Sequence, residues 1–162
     1  MNRFITFMVF VLASINCVAQ DDLTMNASYD SRSHSIVVDI KNTSSDTDYT
    51  IFNHGTTPET FRSAICISEQ KKEKYFDDFK DRFPLFVYDK DKGVLTEEFP
   101  IVFQICSHQS KSFGVNLEGR EQFEGLKRLY VRVNFTILLI LKNGERKDVV
   151  INKYFDQYVD IE

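Results

Sequence analysis

The 162-residue sequence predicts an all-β protein, an antiparallel sandwich of about nine strands, and three observations carry that expectation. Apolar residues recur at a period of two along most of the chain, as where Ile36, Val38 and Ile40 alternate with Val37, Asp39 and Lys41. Turn residues interrupt these runs at short intervals, at 42–46, 91–93, 119–125 and 143–144. Finally, Phe135 to Leu141 is apolar except for Thr136, the composition of a strand buried on both faces.

The chain opens on an address. Arg3 precedes an uncharged apolar run from Phe4 to Ile15, followed by the small residues Cys17 and Ala19 and then Asp21 and Asp22. That order is a secretory signal peptide, and the run is too short for a bilayer span. Cleavage after Ala19 assigns 1–19 to the leader and 20–162 to a single domain. The alternative makes 1–16 a lipoprotein leader and Cys17 the lipidated N-terminus, although Asn16 stands where a lipobox carries Gly, Ala or Ser. The expected location is periplasmic or secreted in the first case and an outer-membrane lipoprotein in the second.

Downstream, Leu23, Met25, Ala27 and Tyr29 alternate with polar residues, and Ile36 to Ile40 forms a half-buried strand. Tyr49 to Phe52 is the next strand, broken by Gly55 and Pro58 before Phe61 to Ile67. Leu85 to Asp89, Ile101 to Ile105 and Phe113 to Leu117 follow at similar spacing, then Leu129 to Val133 and Phe135 to Leu141. Asn143-Gly144 is a strong two-residue hairpin signal, returning the chain as Val149 to Phe155. A run as β-prone as 135–141 invites aggregation on an exposed edge, so it belongs in mid-sheet, paired on both sides.

One segment breaks the period. Tyr75, Phe76, Phe79 and Phe83 fall at helical spacing between Ser68, a candidate N-cap, and Pro84, and predict a short helical insert near 69–83. With the adjoining charge run Lys71 to Lys74 they form a candidate partner surface, or else they cap one end of the sandwich.

Leu129-Tyr130-Val131-Arg132-Val133, following a Gly-containing loop, resembles a late strand of immunoglobulin-like domains, in which a Tyr often locks the preceding loop. The resemblance covers about half the chain and implies an immunoglobulin-like β-sandwich without implying a function. The chain differs from antibody domains in having no Trp.

Cys66 and Cys106 remain once Cys17 is discarded or lipidated, and an even pair in an oxidising compartment predicts a disulfide. Closing that loop would contribute up to ~4 kcal/mol. Alternation puts Ile65 and Ile67 on one face and Cys66 on the other, and sets Cys106 opposite Phe103 and Ile105, so the bridge would lie outside the core.

Charge excludes some partners. Loss of Arg3 leaves 19 basic against 24 acidic residues, with no basic stripe, so neither nucleic acid nor an anionic membrane surface is an expected partner. A membrane enters only through lipid on Cys17. Chemistry is sparse as well. His34, His54 and His108 have no second ligand at metal spacing, there is no Gly-x-Ser-x-Gly, and six glycines form no phosphate loop. Asp89-Lys90-Asp91-Lys92-Gly93 lacks a third calcium ligand and reads as a β-turn. Glu97 and Glu98 would point to opposite faces of a strand and read as solvated loop.

No catalytic, cofactor or metal residue is therefore assigned. The expectation is a non-enzymatic exported binding or interaction domain of a bacterial cell envelope, with a protein as partner. One alternative is an envelope inhibitor or immunity protein directed at one protein target. Another is a hydrolase whose site assembles only in space, around His54 or His108.

Overall fold

A computed structural model describes residues 22–53, 63–72 and 81–161. Eleven strands occur among them: β1 (Leu23–Asp30), β2 (Ser35–Asn42), β3 (Thr47–Phe52), β4 (Ala64–Ser68), β5 (Asp81–Phe83), β6 (Phe86–Asp89), β7 (Val94–Leu95), β8 (Val102–Ile105), β9 (Ser110–Asn116), β10 (Arg128–Lys142) and β11 (Glu145–Asp160). They form two antiparallel sheets. The first has the order β1-β2-β9-β6-β7, the second β5-β4-β10-β3-β8, with β11 paired to the other side of β10.

The inward residues of both sheets enter one core. Ile36, Val38 and Ile40 of β2 and Phe113 and Val115 of β9 meet Tyr49 and Ile51 of β3, Ile65 and Ile67 of β4, and the inward row of β10. Fully burying such side chains is worth about 1.5–3 kcal/mol each, which makes the alternation the main specification of the fold.

β10 organises the second sheet. One of its edges carries β4 along Tyr130–Asn134 and then β3 along Thr136–Lys142, end to end, while β11 runs the length of the other. The apolar run 135–141 is thus paired on both sides, as its composition requires. The turn after it has Asn143 at φ 50° and Gly144 at φ 81°, the left-handed pair a two-residue hairpin demands.

A bulge explains why the apolar run does not alternate. Ile137 faces Ile51 and Ile151, and Leu139 faces Thr50 and Asp148, so Leu138 is an extra residue against β3 and Val149-Val150 oppose it on β11. Inward positions run 129, 131, 133, 135 and 137, then resume at Ile140.

Two expectations are corrected. The C-terminal end of the predicted helical insert is strand: Asp81–Phe83 pairs with β4, Phe83 opposite Ile65. The open edge of β4 supplies ladder hydrogen bonds that outweigh a helical spacing of aromatics. Residues 73–80 lie outside the described residues, and the only helical element elsewhere among those described is a 3₁₀ turn, Glu121–Phe123.

The predicted disulfide is not formed; Cys66 and Cys106 are both free. Cys66 lies opposite Arg132, whereas Ile105, beside Cys106, pairs through Tyr49 with the level of Ile140. Eight residues of strand separate those levels, roughly 25 Å against the ~7 Å limit for a bridge. Cys66 instead joins Ala64 and Tyr130 in a small cluster on the outer face, as the alternation implied.

Candidate functional site

The outer face of the second sheet is where the molecule departs from a simple fold. Outward from β10 point Arg128, Tyr130, Arg132, Asn134 and Thr136, and across the ladder Asp160, Tyr158, Asp156, Tyr154 and Asn152 of β11 stand opposite them in turn. This row divides into two halves.

In the first half the polar groups are paired around the buried Arg132. The Tyr130 hydroxyl donates to Asp156 Oδ2 at 2.6 Å, and Arg132 Nη2 lies 3.1 Å from the same oxygen. Arg132 also donates to the carbonyl of Lys72 at 2.9 Å, tying the chain after β4 across the face, where the Lys71 amide donates to the Tyr158 hydroxyl at 3.3 Å. Tyr130 and Tyr158 are in contact at 5.3 Å between centroids, and the Arg132 guanidinium sits 4.8 Å from the Tyr154 ring.

The electrostatics follow from this packing. Burial disfavours the Asp156 charge, but the Tyr130 hydroxyl and the Arg132 guanidinium together outweigh it and hold the carboxyl below the usual range. Burial, with the Asp156 carboxylate beside it, pushes Tyr130 up to about 12. Burial likewise pushes Cys66 up to about 12, although Asn134 donates to its sulfur, so this thiol is neutral and unreactive at physiological pH.

In the second half the outward side chains of β11 are open to solvent, and two of them, Val150 and Tyr154 on either side of Asn152, expose apolar surface. Val150 is 77% exposed and Tyr154 63%, with Tyr158 at 46% where the halves meet. Val149, Ile151 and Phe155, on the inward side of the same strand, pack against the core. β11 thus carries apolar residues on both faces, which an edge strand facing only water does not need. That double pattern was present in the sequence, but Val149 to Phe155 was read there only as a hairpin partner.

The described residues among those singled out from sequence do not converge on a site. Tyr75, Phe76 and Phe79, like His54 and Cys17, lie outside the described residues. Phe83 is half-buried against the core with the Arg120 guanidinium 4.3 Å from its ring. His34 and His108 occupy turns at φ 51° and 60°, and the His34 Nδ1 is bonded to the Tyr29 hydroxyl. Among the described residues no group of three His, Cys, Asp or Glu side chains could hold a metal ion. Asp89 accepts hydrogen bonds from the Asp91 and Lys92 amides, so its carboxylate closes a turn, with Gly93 at φ 68°.

A second polar cluster serves packing. Tyr88 lies across Gly114 on the outer face of the first sheet, where a Cβ would stand 2.9 Å from its ring. Its hydroxyl reaches Ser33 at 2.6 Å and Asp30 at 2.9 Å. Arg32 clamps Asp30 from the side, and its hydrogen bonds hold that carboxyl well below the usual range. Every polar tip of the cluster faces another member, leaving none aimed at a ligand.

No protein-family model, curated protein or solved structure matches the chain.

Proposed function

We propose that the chain is an exported, non-enzymatic binding module of a bacterial cell envelope, and that it meets a protein partner across the outer face of β11. The observation that carries this reading is the exposure of Val150 and Tyr154, with Asn152 between them, on one face of a strand whose other face is already committed to the core. Tyr is enriched among the anchors of protein interfaces, and an exposed apolar neighbour such as Val150 adds surface that contact would remove from water. The leader from Met1 to Ala19 supports export, and the acidic balance of the chain argues against nucleic acid.

The same proposal takes the two sheets as an immunoglobulin-like sandwich. The strand order supports it: β1-β2-β9-β6 faces β11-β10-β3-β8, consecutive hairpins are shared between layers, and one core lies between them.

Photo-crosslinking tests the reading. A crosslinking residue at position 154 should capture one discrete protein in the native envelope, and one at Asn26, exposed among polar neighbours on β1, should not. Equal capture from both positions, or none from either, refutes the assignment.

A further inference from the structure

Five strands end a sheet, and four of them are guarded against pairing with another chain. β11 has the bulge at Val149-Val150 and the lysines 147 and 153, and β5 is three residues long with Asp81 and Arg82 among them. β7 has two residues. On β1, the carbonyl of Ala27 is already occupied by Gln157 Nε2 at 2.5 Å.

β8 has none of these guards. Its outer edge pairs with no other described strand, and no residue from Phe99 to Ser107 is charged. Ile101 is 57% exposed and Val102 49%. The orientation of its backbone follows from one bond: the Asn53 amide donates to the Ile101 carbonyl at 2.7 Å. In an antiparallel ladder bonded pairs alternate, so Ile101, Phe103 and Ile105 direct their N–H and C=O groups toward β3. Val102 and Gln104 direct theirs outward, to an open edge.

We propose that β8 is the interface between two copies of this chain, joined antiparallel about a two-fold axis at Phe103 with Val102 of each opposite Gln104 of the other. In that register both outward residues of one copy form bonded pairs with both of the second. Each copy's two free N–H and two free C=O groups are satisfied, and the second sheets merge into one. The absence of charge on this edge lets identical strands meet without repulsion, and Val102 and Ile101 lose water on contact. This self-association is independent of the outer face of β11.

Sedimentation of the full chain over a concentration series tests it. A reversible dimer is expected, and Gln104→Pro should raise its dissociation constant at least about tenfold. The amide that Pro removes faces outward, so the ladder to β3 is untouched. Val102→Lys, which alters no backbone group, should do the same, and should leave the melting temperature unchanged at concentrations well below the dimer's dissociation constant. Tyr154→Ser should leave the dimer intact. A wild-type chain monomeric throughout the series overturns the proposal, as does a dimer that Val102→Lys fails to weaken.

Discussion

The two halves of β11 belong to one ladder and do opposite things. From Phe155 to Asp160 the strand is tied down: Asp156 to Tyr130 and Arg132, Gln157 to the β1 backbone, and Tyr158 to the Lys71 amide. From Glu145 to Tyr154 its outward side chains make few such ties, the Arg146–Asp148 pair being solvent-exposed and worth little. Side-chain ties are concentrated at one end of the strand, and the other end carries exposed side chains on the same ladder. That is the arrangement a binding surface needs, since a partner then bears little of the ordering entropy.

The largest effect should come from breaking the tied half. Asp156→Ala removes the acceptor shared by the Tyr130 hydroxyl and the buried Arg132 guanidinium, and should cost about 2–3 kcal/mol in urea unfolding. The same carboxylate sets an acid limit. Its folded-state value lies below the unfolded one, so its contribution is complete above the unfolded value near 4 and is lost as pH falls through the folded value. Asp156→Asn should flatten the part of the stability–pH curve below about pH 4, and leave neutral-pH slopes unchanged.

Smaller effects sharpen the boundary between the halves. Tyr158→Ala removes the contact with the Tyr130 ring and should cost about 1 kcal/mol. Val150→Thr should stay within about 0.5 kcal/mol of wild type, because its side chain is exposed, and Tyr154→Ser should cost no more than about 1 kcal/mol, the worth of its contact with Arg132. The Tyr154 change should nevertheless abolish crosslinking to the partner from a probe placed at position 152. A loss of 2 kcal/mol at Tyr154 would mean that the open half is structural after all.

Legibility from sequence followed the range of the interactions. The Asn143-Gly144 hairpin, the mid-sheet place of 135–141 and the alternation around Cys66 depend on local chemistry or on parity, and were readable. The Cys66–Cys106 bridge failed because two strands that both belong to one sheet lie at different levels of β10, which parity says nothing about. The strand at Asp81–Phe83 overrode a helical spacing because a neighbouring edge needed a partner. The open face of β11 was hidden for a different reason. With apolar residues on both faces, alternation alone could not say which set met the core, and the bulge at Leu138 is silent in the sequence.

The place of β10 in the chain also sets a schedule for folding. Every strand of the second sheet except β5 and β8 bonds directly to residues 128–142, and the contact of Gln157 with Ala27 spans 130 residues. A nascent chain therefore lacks the central strand of that sheet until four-fifths of it has been synthesised, and cannot bring β1 and β11 together until nearly the last residue. Such a chain can complete its second sheet, and close its first layer onto it, only late in its synthesis.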